Sequence, residues 1–182
     1  MYDRNALIAL VREKALSFGQ FTLASGKTAS YYLDCRKLTL DSAGACQVAE
    51  GVLERLGEPL PDAVGGMAIG ADPITAAVIT LAHLRGKKLK GFIVRKEAKG
   101  HGQKRDVEGP VAPGESAVIV EDVLTTGGSA LAAIQRAEAF GLRVVKVIGI
   151  VDRLEGATEA FAQRGYAVES LLTVRDLGIE RE

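Results

Sequence analysis

The stretch that most constrains this chain is residues 117–129. Ala117–Val120 is apolar at every position, two acids follow at Glu121 and Asp122, and Val123-Leu124 leads into Thr125-Thr126-Gly127-Gly128-Ser129. A strand that is apolar throughout, rather than at alternate positions, is expected where both faces are covered, as in a parallel sheet. The Thr/Gly turn is followed by a helical pattern from about Gly128 to Phe140, closed by Gly141. Strand, turn and helix in that order are the unit from which right-handed crossovers build a parallel sheet with helices on both faces. Ligands in such folds sit beyond the carboxyl ends of the strands.

The remaining sequence supplies the alternation. Residues 3–18 follow helical spacing through Leu7, Leu10, Val11, Lys14 and Ala15, with Gly19 as the expected C-cap. Ser30–Asp34 reads as a short strand, and Ser42 as the cap of a helix through Leu56. Ala63–Gly66 reads as a buried strand. Asp72-Pro73 reads as a cap and first helical residue, opening a helix to about Leu84. Gly91–Arg95, Val144–Val151 and Val168–Val174 are further strands. Residues 155–164 are helical, and 96–109, rich in glycine and charge, are a loop. The expected fold is α/β, with a central mostly parallel sheet flanked by helices, in a single domain over residues 1–182.

At 182 residues the chain buries a core without help from disulfides or metals. Its two cysteines form no CxxC and its histidines number two, which argues against a zinc site and for reduced thiols in the cytoplasm. No run of 18 apolar residues suggests a membrane span, and the opening residues lack a signal-peptide core. Lys+Arg and Asp+Glu both number 23, which argues against nucleic acid as the main partner. That balance conceals an uneven distribution. Residues 85–105 carry nine basic side chains and a single acid, Glu97, while acids outnumber bases on either side. Such a run is either a solvated surface loop or an element that binds a polyanion. Glycine is in surplus, at 21 residues, and glycine serves tight turns and close backbone approach to ligands.

The turn after the two acids carries the chemistry. Successive backbone N–H groups and three hydroxyls at a helix N-terminus make an anion site. Glu121 and Asp122, just before it, are placed to accept hydrogen bonds from the vicinal hydroxyls of a sugar whose phosphate lies in the turn. The stretch lacks the GxxxxGK[ST] of a Walker loop, the GxSxG of a nucleophile elbow and the GxGxxG of a dinucleotide site. An acidic strand end with an ordinary helix cap explains one acid and one serine. It does not explain two acids, two threonines, two glycines and a serine together.

These residues resemble the phosphoribosyl-pyrophosphate (PRPP) motif of type I phosphoribosyltransferases. Three further stretches resemble orotate phosphoribosyltransferases: Phe21 to Asp34, with Ser25-Gly26-Lys27 and Ser30-Tyr31-Tyr32; Arg95-Lys96-Glu97-Ala98-Lys99-Gly100-His101-Gly102; and Val151-Asp152-Arg153-Leu154-Glu155-Gly156. The four fall in the family's order over nearly the whole chain. The resemblance implies transfer of phosphoribose from PRPP to N1 of orotate, giving orotidine 5′-monophosphate and pyrophosphate. It implies Mg²⁺ held mainly by PRPP oxygens and water, a small hood over the base from residues 1–40, and a mobile catalytic loop over 96–109. Catalytic roles fall to Lys96, Lys99, His101 and Asp122. PRPP binding falls to Arg95, Lys96, Lys99, His101, Glu121, Asp122, Thr125, Thr126, Gly127, Gly128 and Ser129. Orotate binding falls to Arg153, Thr126, Tyr31, Tyr32 and Arg36. Arg36 is open to a second reading, an ion pair with Asp34, and Arg153 to a pair with Glu155 or Asp152.

A homodimer with active sites shared across the interface is implied, and association with the downstream decarboxylase is raised by the same resemblance. The chain departs from some family members at Ala24, where a lysine is common, and in Gly65–Pro73, the expected pyrophosphate loop, which holds no lysine. Two other readings of the motif stay open, a type I phosphoribosyltransferase for another base and a non-catalytic PRPP-sensing regulator. Arg153 disfavours the first, and the Lys/His loop disfavours the second.

Overall fold

The computed structural model describes residues 1–22, 28–96 and 106–180. Its centre is a six-stranded sheet of order β5-β4-β3-β6-β7-β8, formed by β3 (Ala63–Met67), β4 (Lys90–Val94), β5 (Val107–Glu108), β6 (Ser116–Leu124), β7 (Arg143–Asp152) and β8 (Ala167–Thr173). All neighbours run parallel except the edge pair β4–β5. The expected α/β architecture is therefore the observed one, with one antiparallel strand inside a stretch read from sequence as loop.

Successive residues of β6 enter opposite cores, as the pleat requires. Val118 and Val120 join a cluster with Leu7, Val48, Val52 and Ile74, on the face covered by α1 (Arg4–Leu10), α3 (Ser42–Leu56) and α4 (Ala71–Leu84). Ala117 and Ile119 join Phe92, Ile134 and Phe161 under α5 (Gly128–Phe140) and α6 (Ala157–Ala162). The α5 face turns Ala130, Ala133 and Ala137 inward, all fully buried. Small side chains there let the helix lie close to the sheet.

The N-terminal segment departs most from expectation. Asp3 caps α1, its carboxylate accepting from Asn5 N–H at 2.9 Å and Ala6 N–H at 3.0 Å. The helix then widens into a π-turn over Val11–Ala15, and Leu16 turns extended. Leu7, Val11 and Ala15 form the buried stripe that the spacing promised. The stripe ends there, so residues 16–18 are not helical. Leu16–Thr22 is instead β1, paired antiparallel with β2 (Thr28–Leu33), and Gly19 lies within the strand rather than capping a helix. Glycine is a poor helix former, and β2 offers the backbone a ladder. β2 begins two residues earlier than the expected Ser30.

A short helix, α2 (Arg36–Thr39), follows. The cap of α3 is Asp41, not Ser42, its carboxylate accepting from the N–H groups of Ala43 and Gly44, both at 3.1 Å. Likewise α4 starts at Ala71 after Gly70, so Asp72 lies in its first turn rather than at the cap, and Pro73 is its third residue rather than its first. Proline fits there because the first N–H groups of a helix have no intrahelical acceptor. The last helix, α6, is shorter at both ends than the 155–164 expected. A 3₁₀ turn over Val174–Leu177 follows β8. Cys35 is buried and Cys46 exposed on α3, both unpaired. No helix among the described residues is long and apolar enough to cross a membrane.

Strand β3 can run between β4 and β6 only because Gly65 and Gly66 carry no side chain. A Cβ on Gly65 would lie 2.1 Å from the Phe92 carbonyl oxygen, and one on Gly66 would lie 2.2 Å from that of Val120. Gly65→Ala is therefore expected to lower unfolding free energy by about 2–4 kcal/mol, read as an earlier urea midpoint.

Candidate active site

Parallel strands deliver their following turns to one edge of the sheet. Here β3 delivers Ala68–Gly70, β4 delivers Arg95 and Lys96, β6 delivers Thr125–Gly127, and β7 delivers Arg153 and Leu154. Between them lies a cleft of about 350 Å³. Its walls are Tyr32, Asp34 and Arg36 on one side, the Met67–Gly70 turn and Lys96 on another, Glu121 and Asp122 of β6, and Ser129 at the start of α5. The structure thus gathers Tyr32, Arg36, Lys96, Glu121, Asp122 and Ser129 from the expected residues. A smaller recess continues past Glu121 among Thr125, Gly127, Gly128 and Ser129.

The acids lie within β6, not beyond it. Glu121 is buried and its Oε2 has no hydrogen-bond partner. Burial pushes its pKa up to about 8, and the neighbouring Asp122 charge acts in the same direction. The half-buried Asp122 accepts from the Val123 N–H at 2.8 Å. A Cβ on Gly70 would sit 3.1 Å from the Asp122 carboxyl carbon. Gly70, within the lysine-free turn, is thus packed directly against this acid. The peptide between Ala68 and Ile69 is cis, and the Ala68 N–H donates to the Val94 carbonyl at 2.8 Å, tying this turn to β4.

Gly127 precedes α5 with φ 83°, a conformation that favours glycine, and its missing Cβ leaves room for Phe161, 3.1 Å from where that atom would be. The first N–H groups of α5 lack acceptors within the helix and carry the positive end of its dipole. They face the recess that Glu121 borders. Thr126 is exposed on this turn and lines neither the cleft nor the recess.

Arg153 follows β7 directly, and its N–H donates to the Leu124 carbonyl at 2.9 Å. Its guanidinium carbon sits 4.7 Å from the centre of the Tyr31 ring, and Nη2 lies 2.9 Å from Glu155. Its Nε is buried without a partner. Arg153 and Tyr31 do not line the main cleft; they form a pair at the same sheet edge. Arg36 does line it, while donating to Asp34 at 2.8 and 3.1 Å, so the ion-pair reading of Arg36 describes its contacts. That pairing holds the Asp34 carboxyl below its ordinary pKa. Arg95 leaves the cleft lining to Lys96 and pairs with Glu108 at 3.4 Å. Lys99 and His101 fall outside the described residues, as do Ala24, Ser25, Gly26 and Lys27.

Asp34 was legible in sequence only as a partner for Arg36, and its place in the cleft wall was not. His83 is exposed on α4, away from this edge. Cys35 is buried, which pushes its thiol pKa up and leaves it unreactive.

No protein-family model matches the chain. Individual relatives do. The orotate phosphoribosyltransferase of Rhodopirellula baltica is 55% identical over 184 residues, covering 98% of this chain and 95% of the relative. Among solved structures, Mycobacterium tuberculosis orotate phosphoribosyltransferase in complex with Fe(III) dicitrate superposes with a TM-score of 0.86 at 38% identity, over 97% of this chain and 99% of that one. The same protein in complex with PRPP gives a TM-score of 0.82 at 34% identity, over 97% and 99%.

The buried Glu121 makes stability depend on pH in a definite sense. Its pKa is raised on folding, so between the ordinary 4.5 and about 8 the folded chain holds a proton that the unfolded chain has released. Stability from this group is present at low pH and is lost as pH rises through that window. Glu121→Gln is expected to flatten that part of the profile and to raise Tm most near pH 8, measured by thermal melts across pH 5–9 (about four units).

Proposed function

The chain belongs to the orotate phosphoribosyltransferase family, and on that premise we propose how its own residues divide the work. It transfers the 5-phosphoribosyl group from PRPP to N1 of orotate, giving orotidine 5′-monophosphate and pyrophosphate. The observation that carries the assignment of roles is the convergence of two acids, Glu121 and Asp122, with the Thr125–Ser129 turn at the start of α5, in one cleft.

In this reading the 5′-phosphate sits in the turn, taking the free N–H groups of α5 and the hydroxyls of Thr125 and Ser129. Asp122 and Glu121 accept from the ribose hydroxyls. The hydroxyls would give the unpartnered Glu121 Oε2 the donor it lacks, which favours the ionised acid once substrate is bound. Breaking the C1′–O bond leaves positive charge on the ribose and negative charge on pyrophosphate, and the new bond forms from N1 of orotate to C1′. The protein holds the reactants in line and neutralises the departing charge. The Met67–Gly70 turn, by its backbone, and Lys96 meet the pyrophosphate from the described part of the cleft. Lys99 and His101 supply the rest of the positive charge, and Arg95 anchors their segment.

Orotate carries a carboxylate, and Arg153 is its partner, with Tyr31 beneath the guanidinium as a flat support. Tyr32 and Arg36 border the base from the hairpin side. Residues 1–40 form the hood of a single domain, and 96–109 the catalytic loop. Mg²⁺ fits the residues present: Glu121, whose Oε2 is unpartnered, and Asp122 line one cleft, where they would hold through water an ion that keeps substrate oxygens and water. When bound, Mg²⁺ supplies charge neutralisation on the pyrophosphate oxygens. The enzyme works as a cytoplasmic homodimer whose loops reach the neighbouring site, and a downstream decarboxylase is the partner proposed for its product.

A reading as a phosphoribosyltransferase for a neutral purine leaves Arg153 without a carboxylate to bind. Purified protein is expected to consume orotate only with PRPP and Mg²⁺ present, and to leave adenine and hypoxanthine unchanged. Turnover of a purine with orotate untouched defeats the assignment. Arg153→Ala is expected to raise KM for orotate by roughly 10–100-fold, the loss of one charge-assisted pair. Lys99→Ala is expected to cut kcat with Tm unchanged, and mixing the two variants after subunit exchange should restore part of the activity.

A further inference from the structure

We propose that Arg136 is a positioning residue for the transfer reaction, fixing the stem of the basic segment to the helix that carries the phosphate turn. The proposal rests on the reading above, in which Lys96 meets the pyrophosphate.

The stem is described on both sides. Val94 pairs with Val107 and Ile93 with Glu108 across the antiparallel edge β4–β5. Arg95 is the last residue before Lys96 enters the cleft wall, and it is held at three points. Its N–H donates to the Asp106 carbonyl at 2.9 Å, its guanidinium pairs with Glu108 at 3.4 Å, and its carbonyl accepts from Nη1 of Arg136. The first two ties run to the other limb of the stem, so they close the stem on itself. Only the third of these reaches a different element.

That element is α5. Arg136 lies eight residues beyond Gly128 in the same helix. Helical side chains lean toward the N-terminus, so a long one on α5 reaches toward the sheet edge where the site lies. The anchor has chemical sense at both ends. A strand-end carbonyl that is half-buried needs a donor, and a guanidinium offers one that stays charged at any working pH. The edge strand β5 is two residues long. Without Arg136 the stem still packs through Val94 and Val107 against the α5 core. It loses the polar tie that sets the height and direction in which the chain leaves β4. Since Lys96 follows at once in the cleft wall, an error at Arg95 is carried to the ammonium that meets the leaving pyrophosphate. Small misplacements of such groups cost rate more than binding.

The test is a double-mutant cycle of Arg136→Met with Lys96→Ala. Arg136→Met keeps an unbranched apolar stem and removes the donor. Alone, it is expected to lower kcat roughly tenfold, with KM for orotate changed by less than about twofold and Tm little altered. In the Lys96→Ala background the same change should lower kcat by less than about twofold, because the group it positions is already gone. Arg136→Lys, which keeps a charged donor nitrogen, should recover most of the rate. Equal losses in both backgrounds, or no loss with the fold intact, overturn the proposal. If Arg136→Met does not fold, the cycle is run with Arg136→Lys, whose smaller loss must again vanish beside Lys96→Ala. An active wild-type enzyme with additive losses sinks this proposal alone, whereas a wild-type chain inert toward orotate and PRPP sinks the functional reading on which it stands.

Discussion

Strand β6 is buried on both faces, and it carries two carboxylates near its end. Its apolar residues alternate between the two cores, and the acids stand where the strand reaches the cleft. Carrying Glu121 to that point inside the strand, with Oε2 unpartnered and the pKa raised, works against stability in the free protein. Turns from β3, β4 and β7 end at the same edge because parallel pairing forces them there. The cleft follows from the burial of one strand together with the direction of its neighbours.

The acids illustrate how an unfavourable group is kept where it is needed. A carboxylate fully satisfied by the protein would have little to offer a sugar hydroxyl. Glu121 has one oxygen unpaired, and Arg153 has a guanidinium nitrogen in the same condition. Both lie at the end of the sheet, on neighbouring strands whose termini are joined by the Arg153–Leu124 hydrogen bond. Rigid backbone around unsatisfied polar atoms is the arrangement expected of a site whose last hydrogen bonds are completed by substrate.

Much of this was legible in the sequence where the pattern is local. The Val118–Ser129 run specified strand, turn and helix, and the structure places all three within two or three residues of expectation. Apolar-rich runs at 63–66, 91–95 and 144–151 did the same for their strands. The N-terminal hairpin was not legible, because Leu7, Val11 and Ala15 continue a helical stripe up to the point where β1 begins, and only pairing with β2 decides the conformation after it. Helix starts were misplaced by a residue or two, since Asp41 and Ser42, or Gly70 and Asp72, are all acceptable at a helix N-terminus. In the site, the acids and the turn were found by their crowding of unlike residue types. Arg136 gave no such signal, because a single arginine on a helix reads as a solvated charge until its distant acceptor is known.

The contact between Gly70 and the carboxylate of Asp122 bears on how such a site can change over evolutionary time. With the Cβ position at 70 only 3.1 Å from that carboxyl, any side chain introduced there first displaces the acid by a few tenths of an ångström. A lineage can therefore exchange this bare backbone turn for one bearing a side chain only together with a small rearrangement of the acid beside it, so the first such substitution is expected to carry a cost set by how freely Asp122 can move.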